Sequence, residues 1–383
     1  MAKFIFLLFS ISIILLSCSP ITVQHVSNIE KPKGDYLIYS LPINGLSFEI
    51  DIEERAFYKG PFAEYTTNFL GISNANNKDY KEYLIQGIKI NRIAVPDAEH
   101  IYACKLSCKV SHSNFSLSEN SIIYGLNYKP NNEIITTVVS GKKFNKSRYS
   151  DVIFSNLSNS GFEKEIFDTS YKSVLVDSSY IKVPVLKAIT ASKNEYDRAS
   201  EAANHLMRIR KRKFKLLSGA YENMPNEGTI ETIVKELNNE EQEYLSLFIG
   251  KTISNRNIYR NYFIPDNKNQ TYLLGYFSEN KGFSDTKKEG YTELSVEIKK
   301  LDNYASFNSF NNKRKENTKH KGLVYRIPEH AQINVKAGNK VIYSTQIALA
   351  QFGYTNVLPK NVLKKKFPVI EFCPITGNII RIR

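Results

Sequence analysis

NEYDRASEAANHLMRIRKRKFKLLSGAYENMPNEGTIETIVKELNNEEQEYLSLFIGKT, residues 194–252, decides how the chain is organised. Ala199, Ala202, Ala203, Leu206, Met207, Ile209, Phe214 and Leu217 recur at helical spacing over Glu195 to Leu217. A second helical run, Thr229 to Phe248, places Ile230, Ile233, Val234, Leu237, Tyr244, Leu245 and Phe248 on one face. Gly219, Pro225, Asn226 and Gly228 between the runs stop one helix and start the next. The first run ends in Arg208, Arg210, Lys211, Arg212, Lys213 and Lys215, while the second carries Glu231, Glu236, Glu240, Glu241 and Glu243. An antiparallel hairpin brings some of these opposite charges together.

On either side the pattern changes from period 3.6 to period 2. Leu46, Phe48, Ile50 and Ile52 alternate with Ser47, Glu49, Asp51 and Glu53, which predicts a strand with one buried face. Structure is expected to start at Tyr36. Pro61 opens a short helix with Phe62, Tyr65, Phe69 and Leu70 on one side and Gly71 as its stop. Further strands are expected at Tyr83 to Ile93, Ile101 to Val110, Ile122 to Tyr128, Ile134 to Val139 and Tyr180 to Ala188, with Pro130-Asn131-Asn132 as a hairpin turn. Leu157 to Tyr171 reads as irregular or partly helical.

Beyond the helices, strand patterns return at Ile258 to Ile264, Thr271 to Phe277 and Thr292 to Leu301. An Asn- and Lys-rich loop is expected over Phe307 to Gly322. Leu323 to Val335 and Val341 to Ile347 turn on Gly338-Asn339, and Val369 to Phe372 and Asn378 to Ile382 form a last pair. Tyr39-Ser40-Leu41-Pro42 and Tyr325-Arg326-Ile327-Pro328 hint at duplicated lobes, but the apolar positions after them fall out of register.

Met1-Ala2-Lys3 followed by the apolar run Phe4 to Leu16 has the form of a signal peptide, too short to span a bilayer. It ends in Leu15-Leu16-Ser17-Cys18, which resembles a bacterial lipobox. Cleavage is therefore expected between Ser17 and Cys18, with lipid on Cys18, and two or three acyl chains hold a protein firmly on a membrane. Ser19 after the cysteine resembles lipoproteins sorted to the outer membrane. The expected address is that membrane, facing the periplasm, with residues 18–34 as a tether.

The 24 Tyr and 22 Phe with no Trp suit β structure. A net charge of +14 invites a nucleic-acid reading. Abundant Lys, Asn, Ile and Tyr instead fit an AT-rich coding sequence. The basic residues are also spread along the chain, and the N-terminus directs it out of the cytoplasm. No nucleic-acid partner is expected.

Cys104 and Cys108 tempt a metal or redox reading, but they share one parity with Tyr102, Leu106 and Val110 on a strand. Four residues of strand cover about 13 Å, beyond the reach of about 7 Å for a disulfide. They read as small buried hydrophobes, with a bridge from one of them to Cys373 left open.

Three blocks together resemble domain-of-unknown-function family 4831, uncharacterised envelope lipoproteins of Bacteroidota. The first is Tyr39-x-Leu41-Pro42 with Gly60-Pro61-Phe62-Ala63-Glu64-Tyr65 and Leu70-Gly71-Ile72. The second is Ala202-Ala203, Arg208-Ile209-Arg210, Leu216 to Gly219, Pro225-x-x-Gly228 and Leu247-Phe248-x-Gly250-Lys251-Thr252. The third is Tyr325 to Pro328, Ala350-Gln351-Phe352-Gly353, Leu358-Pro359 and Phe372-x-Pro374-x-Thr376-Gly377. The resemblance implies no activity. Cys373 departs from it, a polar residue such as Asp being expected before Pro374.

Catalytic motifs are not found. Gly250-Lys251-Thr252 lacks the upstream glycine of a phosphate loop, since that position is Leu245, and it follows a helix; Gly250 reads as a helix cap. His25, His100, His112, His205, His320 and His330 show no zinc-ligand spacing, and there is no Gly-x-Ser-x-Gly. Pro96-Asp97-Ala98-Glu99-His100, the densest ionisable cluster, reads as an exposed turn. The best partner surface is the helix face of Arg208, Lys211, Arg212 and Lys215, against a plain reading as solvated charge partly neutralised by the second helix.

The expected protein is thus α+β, with two mostly antiparallel β lobes, 35–193 and 253–383, separated by an α-helical hairpin at 194–252. Neither cofactor nor metal is expected. The expected role is a non-enzymatic scaffold or accessory component of an envelope assembly, with an envelope protein partner. The alternative is a carbohydrate- or peptide-binding module, or an enzyme, whose site is assembled from sequence-distant residues.

Overall fold

The computed structural model describes residues 21–29, 34–106, 111–130, 154, 163–176, 179–220, 226–266, 268, 270–301, 322–358, 360–363 and 368–383. Cys18, Cys108, the turn at 130–132 beyond Pro130, the strand expected at Ile134 to Val139 and most of the loop expected from Phe307 lie outside those residues.

The chain is mostly antiparallel β. It runs β1 (Thr22–His25), β2 (Tyr36–Tyr58), a 3-10 turn (Ala63–Tyr65) into α1 (Thr66–Leu70), then β3 (Tyr80–Lys105), β4 (Phe115–Leu117) and β5 (Ile123–Leu126). Next come β6 (Glu163–Val176), β7 (Ser179–Ser192), α2 (Glu195–Leu217) and α3 (Glu227–Ile249). The remainder is β8 (Lys251–Phe263), β9 (Gln270–Ser278), β10 (Gly282–Ser284), β11 (Thr292–Lys300), β12 (Val324–Ala337), β13 (Lys340–Val357), α4 (Lys360–Leu363), β14 (Ile370–Phe372) and β15 (Ile379–Ile382). Their sheet orders are β1-β3-β2-β8, β10-β9-β11-β12-β13, β15-β14-β5-β4 and the lone pair β6-β7.

Two compact units result, one drawn from 1–52, 85–145 and 257–383, the other from 53–84 and 146–256. The chain crosses between them within β2, β3 and β8.

In the first unit the strand alternation is realised as written. Leu46, Phe48, Ile50 and Ile52 of β2 are buried, and the acidic and polar residues between them are half-buried. Its core joins Val23, Tyr39, Leu41, Cys104, Ile123 and Leu126 to Leu323, Val324, Ile370 and Phe372. Tyr39 binds into it through both backbone groups of one residue: its hydroxyl donates to the Val324 carbonyl at 3.2 Å and accepts from the Val324 N–H at 3.0 Å. Burial raises the Tyr39 pKa well above that of a free phenol.

The same unit explains the Ala350-Gln351-Phe352-Gly353 block. β12 and β13 stay in register through Ile327 and Tyr354, then resume at Glu329 and Leu349, leaving the four residues opposite Pro328 alone. Pro328 has no N–H to give the ladder, so a bulge here costs little pairing. Gly353 must come so close that an added Cβ would lie 1.7 Å from the Ile327 carbonyl oxygen.

Gln351 turns its amide onto Asn44, accepting from the Asn44 N–H at 2.9 Å and donating to the Asn44 carbonyl at 2.9 Å. Asn44 answers with its own side chain, accepting from the Ala350 N–H at 2.7 Å and donating to the Ile375 carbonyl at 2.7 Å.

In the second unit α2 and α3 pack along Ala199, Ala202, Ala203, Leu206 and Ile209 against Tyr244, Leu247 and Phe248, with Phe62 completing the cluster. Asn194 caps α2 by accepting from the Asp197 N–H, and Asn226 caps α3 by accepting from the Thr229 N–H. Gly250 ends α3 at φ +84°, conformational space that a side chain resists, and its N–H bonds to the Ser246 carbonyl. Two hydrogen bonds fasten the Pro61 segment to this end of α3: the Phe62 N–H donates to the Leu247 carbonyl at 2.8 Å, and the Thr66 hydroxyl to the Phe248 carbonyl at 3.0 Å.

Four local expectations fail. Structure starts before Tyr36, since β1 lies within residues 18–34, read as a tether, and pairs with β3 with Val23 buried. Residues 80–105 form one strand where two were expected, so Pro96 to His100 is strand rather than exposed turn. Likewise β2 runs unbroken from Tyr36 to Tyr58 through Pro42. Residues 163–171, read as irregular or partly helical, belong to β6, because β7 pairs with them at every position from Glu163 to Val176.

Candidate functional site

Asp97 is the most chemically loaded residue among those described. β3 carries it into the first unit, where it is 7% exposed, beside Arg326 of β12 at 3%. Arg326 Nη2 donates to Asp97 Oδ2 at 2.6 Å, and Nη1 donates to the Pro42 carbonyl at 2.9 Å. His100 Nδ1 lies 2.8 Å from the same Oδ2, and the Glu99 N–H donates to Oδ1 at 2.9 Å.

Burial on its own would raise the Asp97 pKa. Hydrogen bonds from His100 and Arg326, with the guanidinium charge, outweigh it and hold the carboxyl far below the usual range. The Arg326 N–H donates to the Gly377 carbonyl at 3.1 Å. Pro42, Arg326 and Gly377, all from the resemblance blocks, therefore meet at a residue those blocks did not include.

Asp97, Glu99 and His100 bring three possible ligand atoms within 4.8 Å of one another. They are the described residues that could hold a metal ion. Both Asp97 oxygens, however, already accept from donors, one of them a fixed cation. An ion would have to displace Arg326 or sit beside it at a large electrostatic cost. The arrangement is chemically an internal ion pair that ties β3 to β12.

The thiols lead the same way. Cys104 is buried and free, as is the half-buried Cys373, so no bridge joins them. Burial pushes the Cys104 thiol up to about 12, which leaves it protonated and unreactive at neutral pH.

On α2, Arg208, Lys211, Arg212 and Lys215 are all exposed. Their neighbours are engaged by α3: Arg210 Nε lies 2.8 Å from Glu241, Lys213 pairs with the same carboxylate, and His205 Nε2 lies 2.9 Å from Glu240. The exposed cations share their side of the helix with Met207 and Phe214, and Phe214 is 71% exposed. Ser17 and Cys18 lie outside the described residues.

The surface that sequence reasoning missed is the β6–β7 ribbon. Opposed residues share a face, so one face presents Phe167, Tyr171, Leu175, Tyr180 and Leu186, between 59% and 77% exposed. The other face presents Ile166, Val174, Ile181, Val183, Val185 and Ile189, each at least 39% exposed. The signal was present: apolar residues at both parities of 166–189, where a strand with one wet face shows them at one.

The fold and its sites define a β-rich protein with a packed helical pair and a surface ribbon, whose densest ionisable cluster is closed on itself. The chain belongs to the family described as a domain of unknown function, DUF4831, whose model matches residues 36–380. No curated protein and no solved structure matches it.

Proposed function

We propose that this protein is a non-enzymatic scaffold or accessory lipoprotein of an envelope assembly, held by lipid on Cys18 at the outer membrane and facing the periplasm. In this reading two β-rich lobes flank the helical hairpin along the chain, and the body presents contact surfaces rather than a reaction centre. The observation that carries the proposal is the ribbon. A strand pair apolar on both faces, at about 3.4 Å per residue over fourteen paired positions, exposes more apolar surface than isolated surface residues account for. Its occupant is an apolar protein surface. A lipid bilayer core is disfavoured, because the outer edges of two strands would take unpaired N–H and carbonyl groups into hydrocarbon.

The test is crosslinking in intact cells followed by purification of a C-terminally tagged chain and quantitative mass spectrometry. One envelope protein should be recovered in near-stoichiometric amount with the native chain and lost with Phe167→Ser/Leu186→Ser. Recovery unchanged by those substitutions, or a clean monomer from both, overturns the proposal.

A further inference from the structure

The two edges of the ribbon differ. β7 carries Pro184, which has no N–H to offer, and proline is a residue by which edge strands discourage pairing; lysines do not separate the edges, since each strand carries two. β6 contains no proline, and its ladder with β7 runs from Glu163 to Val176 without a register shift. Among the described residues no strand but β7 pairs with β6, and a regular strand of this length with an open edge is a template for another strand. Two strands alone are also too few for a stable sheet, whereas three or more suffice.

We propose that β6 pairs antiparallel with β6 of a second copy, about a two-fold axis at Ser170, giving a four-stranded sheet in the order β7-β6-β6-β7. This rests on the reading of the ribbon as a contact surface and adds a use for its edge. The middle of β6, from Ile166 to Val174, is self-complementary in that register. Asp168 faces Lys172 of the second copy on both sides of the axis, Ile166 faces Val174, and Thr169 faces Tyr171. Phe167 comes diagonally beside Tyr171 and Leu175 of the second copy, within reach for aromatic side chains.

Shifting the axis to Asp168 sets that carboxylate against itself and Lys164 against Lys172, which is repulsive. The charges therefore select between these registers. Pairing also joins the apolar faces of two ribbons into one wider platform for the partner proposed above. A chain confined to a membrane surface meets its own copies at high effective concentration, which favours a modest interface of this kind.

Ser170→Cys in the full chain, expressed in cells and treated with a mild oxidant, tests this. Opposed antiparallel residues have Cα atoms about 4.5–5.5 Å apart, inside the range a disulfide spans. A covalent dimer on a non-reducing gel is expected from Ser170→Cys, with none from Lys187→Cys on the other edge or from the native chain. Adding Lys172→Asp, which faces Asp168 of the second copy with a like charge, should cut the dimer yield by about tenfold or more.

No dimer from Ser170→Cys overturns the proposal, and so does a yield that Lys172→Asp leaves unchanged. If the dimer is missing while the ribbon-dependent envelope partner is still captured, self-pairing alone falls. If both are missing, the ribbon is no contact surface and the functional reading falls with it.

Discussion

At the scale of single residues, the strongest prediction concerns Arg326. Arg326→Met removes the cation and one donor from a carboxylate that stays buried, and a second donor from the Pro42 carbonyl; breaking such a pair costs roughly 3–5 kcal/mol. Thermal melts at pH 7 should show a correspondingly large loss. The pH dependence has a definite sign. The native Asp97 carboxyl titrates below its unfolded value of 3.8, so its contribution is complete above that value and disappears as pH falls through the folded one. In the variant, burial again favours the protonated acid. Its deficit against the native protein should therefore be greatest above about pH 5 and shrink toward pH 3. A deficit independent of pH would assign the loss to packing alone.

The sequence showed the charges of this cluster but not their partner. Nothing between Asp97 and Arg326 in the chain signals that positions 229 apart share a hydrogen bond. Gln351 and Asn44 are equally silent, because a side-chain amide that stands in for a ladder rung looks like any polar residue in a strand.

Among the elements, both helices were legible in the sequence, because caps and period leave local marks: Asn194 and Asn226 begin them and Gly250 ends the second. The strand with one buried face at Leu46 to Ile52 was legible for the same reason. Residues 163–171 were not, since a strand with two exposed apolar faces has no alternation to detect and owes its form to β7. Among the described residues, the ribbon supplies none to the helical core. Glu163 and Ser192 are paired at its base, so a short Gly-Ser loop can replace 163–192 without moving the ends. Excision should leave the melting temperature within a few degrees of native, the scale of about 1 kcal/mol or less. A collapse of the α2–α3 pair, seen as lost helical circular dichroism, would show that the ribbon is structural after all.

For the whole molecule, the proposed address is separable from the fold. Cys18 precedes the first described element, so Cys18→Ala should abolish incorporation of labelled acyl chains and shift the protein from the envelope pellet to the soluble fraction, with an unchanged melting profile. Acylation that survives the substitution would refute the anchor. Another consequence follows from the Tyr39 hydroxyl, which closes on a peptide 285 residues further along. Asn44 reaches 331 residues to Ile375. A chain delivered N-terminus first can build its helical pair as soon as those residues emerge, but β2 has to wait for the last sixty. Long-range closure of this kind slows folding. The apolar side of β2 that meets those last residues, Tyr39 and Leu41, is therefore the stretch most in need of a chaperone while the chain is being made.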